Sequence, residues 1–136
     1  MERTASCSCE QLTITVKNDA KFVIACSCTK CQKRTGSVLG VVAYFADTNV
    51  IAKTGVFKTF EKMSDKGTTT IRHFCPECGT SVYWQSEFLP QHTGVGVGSF
   101  VDPAFPIPQM SAWEEHKHPW LSLSDAIPCS QTQDFN

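Results

Sequence analysis

Cysteine placement constrains this chain more than any other feature of its sequence. Seven of the eight cysteines fall into three short groups, which are Cys7 with Cys9, Cys26 with Cys28 and Cys31, and Cys75 with Cys78. Zinc takes four protein ligands in a closed structural site, but three protein ligands plus an open position in a catalytic one. The two pairs together supply four thiols and the triplet supplies three. We therefore predict one closed four-thiolate zinc and one open three-thiolate zinc.

The cellular compartment decides whether clustered cysteines bind metal or form disulfides. The N-terminal stretch has no apolar core of signal-peptide length, and no later run of the 136 residues is long enough to span a bilayer. We therefore expect a cytoplasmic protein, in which clustered cysteines are more often metal ligands than disulfides. Cysteines two positions apart would also close very small loops. A secreted, disulfide-bonded protein is the alternative.

Length and charge limit the number of domains and the classes of binding partner that we expect. Single domains commonly contain about 100–200 residues. We therefore expect residues 1–136 to form a single zinc-binding domain. The formal net charge is -1, and thiolate ligation makes it more negative. Nucleic acid and acidic membrane surfaces are therefore not expected partners. The sequence predicts no particular oligomeric state.

Alternating and β-branched segments predict an all-β fold. Leu12, Ile14 and Val16 alternate with threonines, which is typical of a half-buried strand. The near-continuous apolar run at residues 38–45 predicts a strand buried on both faces. Further strands are expected at residues 21–25, 50–53, 56–62, 68–74, 82–84 and 93–100, with turns at 35–37, 47–49 and 64–67. Five prolines after residue 102 argue against a long helix near the C-terminus.

Three glycines alternate within the predicted strand at residues 93–100. Gly94, Gly96 and Gly98 do not form a dinucleotide-binding fingerprint, because the final spacing is wrong and no helix is predicted to follow. A strand with a bare face lets another backbone or a ligand approach closely. We expect such an approach here.

The segment Cys75-Pro-Glu-Cys78 is typical of a zinc knuckle, in which Gly79 permits a positive φ and backbone amides turn toward the sulfurs. We expect Cys7 and Cys9 to arrive from a distant strand and complete the closed site. A different pairing is also open, in which Cys28 and Cys31 join Cys75 and Cys78 in a zinc ribbon with one metal. The intervening segment is much longer than the usual ribbon spacing.

The triplet is the candidate for chemistry. A zinc held by three thiolates can take a fourth, exogenous thiol and lower its pKa, so that a thiolate nucleophile exists at neutral pH. Lys30, Lys33 and Arg34 supply positive charge that is suited to the carboxylates of a thiol peptide, although a solvated loop would carry the same charges. The triplet itself supplies the candidate catalytic residues.

The remaining cysteine and the histidines are weaker candidates. Cys129 is either a surface or packed thiol or a fourth ligand of the open zinc. His73 lies in a predicted strand and is expected to be structural. His116 or His118 is a candidate for acid–base work near a pocket.

With these motifs in place, the chain resembles the glutathione-dependent formaldehyde-activating enzyme family, also called the centromere-protein-V-like family. The resemblance spans nearly the whole chain. The matching segments are Cys7-Ser-Cys9, Cys26-Ser-Cys-Thr-Lys-Cys31, Arg34-Thr-Gly-Ser37, Phe74-Cys-Pro-Glu-Cys-Gly-Thr80, Gly98-Ser-Phe-Val-Asp-Pro103 and Pro119-Trp-Leu-Ser-Leu-Ser-Asp125.

The resemblance implies a β-tent fold of twisted antiparallel sheets and a division of the cysteines between two zinc ions. The structural zinc would take the four thiols of the two pairs, and the catalytic zinc would take the triplet, which favours this pairing over the ribbon. The implied activity is condensation of glutathione with formaldehyde, grouped with carbon–sulfur lyases. Lys30, Arg34 and Ser37 are the candidate residues for binding glutathione as co-substrate.

Other functions stay open at this level. Ser8 and Ser27 stand where the family often has histidine, and Glu10 replaces a frequent glycine, which changes hydrogen bonding around the ligands without removing one. The partners are expected to be a small-molecule thiol and a carbonyl, and the carbonyl can be a larger pathway metabolite. A non-catalytic zinc module is the alternative from another class. Chromatin or microtubule binding conflicts with the acidic charge.

Overall fold

The computed structural model describes residues 1–64 and 67–132. Within these residues the chain forms short strands and one helix of more than a single turn. The elements in chain order are β1 (Glu2–Ser6), β2 (Thr13–Lys17), β3 (Phe22–Cys26), α1 (Thr29–Thr35), β4 (Gly40–Ala46), β5 (Val50–Thr54), β6 (Lys58–Met63), β7 (Thr69–Phe74), β8 (Ser81–Ser86), β9 (His92–Gly96) and β10 (Met110–Ala112). Single 3-10 turns follow β4, β9 and β10.

Two sheets share the strands. The smaller sheet has the order β1-β2-β5, and the larger has the order β10-β3-β4-β9-β8-β7-β6. Neighbouring strands run antiparallel, with the exception of β10, which runs parallel to β3. The predicted all-β class of antiparallel sheets is confirmed, with one short helix and one parallel pair added to it.

The main core lies between the two sheets. The alternation predicted around β2 places Leu12, Ile14 and Val16 at most 1% exposed, because every second side chain of a strand points to the same face. Phe45 and Tyr83 meet them from the larger sheet and are also almost completely buried. Burial of apolar surface contributes about 25 cal/mol per Å2 removed from water, so this layer is the main source of stability.

A second apolar layer covers the opposite face of the larger sheet. Its buried members are Ile24, Val42, Tyr44, Trp84 and Ala112. They occupy in-register positions on neighbouring strands, so their side chains share one face. The functional residues described below lie on this face.

Gly94 makes room for Trp84 on that face. The two residues are directly opposite in the β8–β9 ladder, and a Cβ built on Gly94 would lie only 2.5 Å from the indole nitrogen of Trp84. The expectation was that another backbone or a ligand would approach this strand, but the group that lies against Gly94 is the indole ring of Trp84. Gly98 lies beyond the end of β9, in the 3-10 turn.

We predict that Gly94→Ala lowers the free energy of unfolding by about 1–3 kcal/mol, the usual cost of overpacking a buried layer. The added methyl group must push the Trp84 ring away from the sheet. Urea denaturation followed by circular dichroism measures the loss. Gly98→Ala is the matched control, because nothing lies within 4 Å of a Cβ at Gly98. Equal stability of the two variants would contradict the packing described here.

Most predicted strands are found within one or two residues of their expected ends. The strand predicted at residues 93–100 is wrong in its second half, because the chain leaves the sheet after Gly96 and forms a 3-10 turn at Val97–Phe100. Helix α1 was not predicted, and it occupies the segment just before and into the turn expected at residues 35–37. At the turn expected at residues 64–67, the Gly67 amide donates to the Ser64 carbonyl over 2.9 Å, and Asp65 and Lys66 lie outside the described residues. No helix in the described part of the chain combines the length and the apolar character needed to cross a bilayer.

Candidate metal centres

Two hairpin turns, one from each sheet, bring four thiols together. Cys7 and Cys9 lie in the turn between β1 and β2, and Cys75 and Cys78 lie in the turn between β7 and β8. The four sulfurs all lie within 4.8 Å of one another. This four-thiol cluster therefore connects the smaller sheet to the larger one at one end of the molecule.

The sulfur spacing fits a tetrahedral metal ion. A metal with bonds of about 2.3 Å to sulfur separates its ligands by about 3.8 Å in a tetrahedron. The observed distances are 3.6 Å between the sulfurs of Cys7 and Cys9, and 3.7 Å between those of Cys9 and Cys75. Cys7 and Cys75 are buried, whereas Cys9 and Cys78 are exposed. The donor set and its spacing thus suit a closed structural ion.

Backbone amides in both turns point at these sulfurs. The Leu12 amide donates to the Cys7 sulfur over 3.3 Å, and the Glu77 amide donates to the Cys75 sulfur over 3.4 Å. Gly79 has a φ of 81°, which is the left-handed conformation expected of the knuckle. Such donors stabilise sulfur in its thiolate form, so both turns are prepared for metal ligation.

Gln11 connects the turn between β5 and β6 to the four-thiol cluster. Its side-chain amide nitrogen donates to the Cys75 sulfur over 3.0 Å and to the Val56 carbonyl over 2.8 Å. Its side-chain oxygen accepts from the Val56 amide over 2.8 Å. The β5–β6 connection is therefore anchored to the cluster, a contact that the cysteine spacing alone does not indicate.

The second cluster is formed by the triplet. Cys26 ends β3, Cys28 caps the N-terminus of α1, and Cys31 lies within the helix. Their three sulfurs also lie within 4.8 Å of one another. Cys26 is buried, whereas the other two are only partly buried. This three-thiol cluster therefore has a side that solvent and small molecules can reach.

Cys28 is the thiol of this cluster that ionises most readily. Hydrogen bonds from the Cys26 and Cys31 thiols lower its pKa to about 2, and burial opposes the shift. The Cys31 amide also donates to the Cys28 sulfur over 3.3 Å. The pKa of Cys26 is raised, mainly through its hydrogen bond to Cys28. The ionisation of each thiol therefore depends on the charge of the other two. A cation bound between the sulfurs favours the thiolate form of all three.

The structure decides between the two pairings considered for the cysteines. Cys28 and Cys31 lie with Cys26 rather than with the β7–β8 turn, so the ribbon pairing is wrong. Cys129 is exposed, and its backbone pairs with that of Ser111 in an isolated β-bridge. It belongs to neither cluster. Among residues 1–64 and 67–132, no fourth histidine, cysteine or acidic ligand joins the triplet.

Arg34 lies beside the three-thiol cluster, on the second apolar layer. A Cβ at Gly40 would lie 2.7 Å from a terminal nitrogen of Arg34 and 3.3 Å from the Cβ of Cys31, so the three residues meet at one point. The guanidinium carbon is 4.4 Å from the centre of the Trp84 ring, a cation–π distance. Burial raises the pKa of Tyr44 to about 12, against a hydrogen bond from Trp84, so this phenol stays neutral.

The other predicted site residues lie around α1. Lys30 is exposed in the first turn of the helix, and Ser37 is exposed just after its C-terminal cap. The side chain of Gln32 donates to the Ser27 carbonyl over 2.8 Å, and its oxygen lies 3.2 Å from Nε2 of His118. His118 is therefore linked to the helix that holds Cys31. His73 packs between the rings of Phe57 and Tyr83, which agrees with a structural role.

Two surface grooves lie away from both clusters. Their volumes are about 380 and 410 Å3, and Asp47 and Gln85 line both of them. Gln85 points to the face of the larger sheet opposite to Trp84, because neighbouring residues of a strand alternate between faces. These two grooves and the three-thiol cluster are thus on different faces of the larger sheet.

Together these features define a small β-sheet protein with one cluster of four cysteines and one of three, each suited to a metal ion. The family of glutathione-dependent formaldehyde-activating enzymes has a family model that matches residues 2–116. The chain belongs to this family. The resemblance inferred from the cysteine groups is therefore confirmed.

Fungal relatives carry the same family name at modest identity. Proteins from Aspergillus terreus and Emericella nidulans, each described as a putative glutathione-dependent formaldehyde-activating enzyme, are 30% identical over 83 and 81 residues. These matches span 60% of this chain but only 42% and 40% of the relatives. The match therefore covers less than half the length of these relatives.

A solved structure supports the fold independently. The crystal structure of a Rhodobacter sphaeroides protein superposes with a TM-score of 0.58 at 21% identity, and it covers 74% of this chain and 91% of its own. At this identity the likeness concerns the fold alone.

Proposed function

We propose that this protein is a zinc-dependent enzyme of the carbon–sulfur lyase type that joins glutathione, or a similar thiol, to a carbonyl compound such as formaldehyde. The observation that carries the proposal is the three-thiol cluster, which has no fourth ligand among residues 1–64 and 67–132 and lies beside the cationic side chain of Arg34. Membership of the family supports the choice of thiol and aldehyde.

The reaction needs no oxidant or reductant. The thiol sulfur attacks the carbonyl carbon, a carbon–sulfur bond forms, and the carbonyl π bond opens onto the oxygen. The proton lost from the thiol ends on that oxygen, so thiol and formaldehyde together become an S-hydroxymethyl adduct. The reverse reaction breaks the same carbon–sulfur bond. The enzyme therefore has to stabilise a thiolate and place it against a small electrophile.

Cys26, Cys28 and Cys31 are the residues that would hold the catalytic zinc. When bound there, zinc would supply a positive charge that lowers the pKa of a substrate thiol beside the cluster. The partly exposed side of the cluster leaves an approach for that thiol. The four-thiol cluster would hold the structural zinc and keep the two sheets in place.

The neighbouring residues of this chain define the substrate environment. Arg34 places positive charge next to the cluster, which favours an anionic thiol. Trp84 and Tyr44 form an apolar surface under that charge, which limits access of water from the sheet side. Lys30 and Ser37 are proposed as further contacts to the peptide part of the thiol, from the exposed side of α1.

Cobalt-substituted protein offers the direct test of this function. We expect glutathione to change the thiolate-to-cobalt absorption of the protein, and S-methylglutathione to leave it unchanged, because only glutathione supplies a free sulfur. Glutathione and formaldehyde together should form adduct faster with the zinc protein than without it. A thiolate-to-cobalt absorption that glutathione does not change, together with an adduct rate equal to the uncatalysed rate, would favour the non-catalytic zinc module.

A further inference from the structure

The side chain of Gln32 contacts three groups at once. Its nitrogen donates to the Ser27 carbonyl over 2.8 Å and to the His116 carbonyl over 3.2 Å. Its oxygen lies 3.2 Å from Nε2 of His118. Gln32 follows Cys31 directly in the sequence, so this one side chain connects the helix of the three-thiol cluster to the chain that follows β10.

The chain that follows β10 runs beside the three-thiol cluster. β10 pairs with β3 so that Ala112 is opposite Cys26, and the Ala112 carbonyl accepts from the Ser27 amide over 3.1 Å. Through Gln32, Nε2 of His118 lies at most about 8 Å from the Ser27 carbonyl oxygen, because both contacts are made by one small amide group. Ser27 lies between two thiols of the cluster, so His118 is at the edge of the cluster.

These contacts fix the orientation of the Gln32 amide and the tautomer of His118. Backbone carbonyl oxygens only accept hydrogen bonds, so the atom of Gln32 that faces two of them must be the amide nitrogen. The atom that faces His118 is then the amide oxygen, which also only accepts. Nε2 of His118 must therefore carry the proton of this hydrogen bond.

The other ring nitrogen of His118 is consequently the one that can exchange protons. In a neutral imidazole with its proton on Nε2, Nδ1 has a free lone pair and accepts protons. No group of the described residues forms a hydrogen bond with this nitrogen. The Trp120 ring packs edge-on against His118, with ring centroids 5.8 Å apart. Gln32 and Trp120 thus hold the ring, while Nδ1 stays available to a substrate.

His116, the other histidine of this segment, is arranged differently. Its Nε2 lies 3.5 Å from a carboxylate oxygen of Glu115, and its ring stacks on that of Trp113. Its backbone carbonyl, and not its ring, contacts Gln32. Of the two histidines considered for acid–base work, these contacts favour His118.

We propose that His118 transfers the proton in the carbon–sulfur reaction, and that Gln32 is the positioning residue that fixes its tautomer. This inference rests on the proposed function. Nδ1 takes the proton of the substrate thiol, and the sulfur forms its bond to the carbonyl carbon while the π electrons move onto the oxygen. The proton on Nδ1 then passes to that oxygen, so His118 returns to its starting form. The reverse reaction uses the same steps in the opposite order.

Chemical rescue of a His118 variant tests the proposal. With zinc-loaded protein, His118→Ala should lower kcat for glutathione and formaldehyde at least about 100-fold, the low end for loss of an acid–base group. Added imidazole should restore part of this rate, after subtraction of its rate without protein. Native mass spectrometry should find the same zinc content as in the unaltered protein. His116→Ala is the matched control and should keep its rate with or without imidazole.

Gln32→Leu removes the contact that fixes the tautomer and leaves His118 in place. We expect kcat to fall at least about 10-fold, the effect of a misplaced reacting group, and imidazole not to restore it. The imidazole 15N signals of His118 provide a measurement that does not depend on activity. They should report a proton on Nε2 in the unaltered neutral protein, and a mixture of both tautomers in Gln32→Leu.

The outcomes distinguish this inference from the proposed function. An unchanged kcat in His118→Ala, a loss that imidazole does not restore, or a neutral His118 protonated on Nδ1 in the unaltered protein would each overturn the role of His118 and leave the proposed function in place. A zinc protein that does not accelerate adduct formation at all would overturn the proposed function, and the role of His118 with it.

Discussion

Replacing Cys75 by serine is expected to abolish cooperative folding at room temperature. Cys75 is completely buried, and its sulfur lies 3.7 Å from that of Cys9 and 3.0 Å from the side-chain nitrogen of Gln11. The turns of both sheets and the β5–β6 connection therefore depend on this one position. Loss of a ligand from a site of this kind removes folding free energy directly.

The magnitude follows from two general quantities. Structural zinc contributes about 10–16 kcal/mol in small zinc domains, whereas a whole domain is stable by only about 5–15 kcal/mol. We therefore expect Cys75→Ser to show no cooperative thermal transition by circular dichroism and poor dispersion of amide proton shifts by NMR. Chelation of the metal from the unaltered protein should give the same result.

Cys129→Ser is the matched control for this experiment, because Cys129 is exposed and belongs to neither cluster. It should melt within a few degrees of the unaltered protein, since isolated surface substitutions change stability by less than about 0.5 kcal/mol. If Cys75→Ser melted at the same temperature as Cys129→Ser, the four-thiol cluster would not be a structural centre.

Replacing Cys28 by serine is expected to remove activity and keep the fold. Its sulfur caps α1 and is the readily ionised thiol of the three-thiol cluster. Serine can still cap the helix, because its hydroxyl is a good N-cap acceptor, but it is a poor zinc ligand. We expect kcat/KM for glutathione and formaldehyde to fall at least about 100-fold, which corresponds to about 2.7 kcal/mol of lost transition-state stabilisation.

The melting temperature provides the internal check on this variant. Cys28→Ser should unfold cooperatively and bind one metal ion less, whereas Cys75→Ser should not fold. The two substitutions thus separate a catalytic from a structural role. Unchanged turnover by Cys28→Ser would mean that the three-thiol cluster is not the site of the reaction.

Strands with a clear period were predictable because their side chains alternate between core and solvent. Leu12, Ile14 and Val16 alternate in sequence, and all three are buried between the sheets. The run at residues 38–45 likewise corresponds to β4, whose central residues Val42 to Phe45 are all buried. In both cases burial is repeated along one element, so a local pattern carries the information.

Helix α1 was missed because it carries no such pattern. It has seven residues, none of them fully buried, and its start is set by the Cys28 sulfur rather than by an apolar stripe. Strand β1 is shorter still, with five residues, and it is mostly polar, with only Ala5 fully buried. Short elements held by capping, pairing and metal ligation leave little periodicity in the sequence.

The sequence predicted the sulfur ligands and the nearby Arg34, but not the groups that reach them from distant strands. Close spacing identified the cysteine groups, but Trp84 approaches Arg34 through the order of strands in the sheet. That order is a long-range property, because β7 and β8 follow α1 by more than thirty residues. Gln11 escaped notice for the same reason, since its partner Val56 lies 45 positions away.

Counting metal ions by native mass spectrometry tests the central claim most directly, because the claim is that two separate cysteine clusters hold two zinc ions. Protein produced with zinc should carry two ions per chain, and Cys28→Ser should carry one while remaining folded. A single ion in the unaltered protein that persists in Cys28→Ser, or a chain mass that shows the triplet cysteines oxidised to a disulfide, would contradict the account.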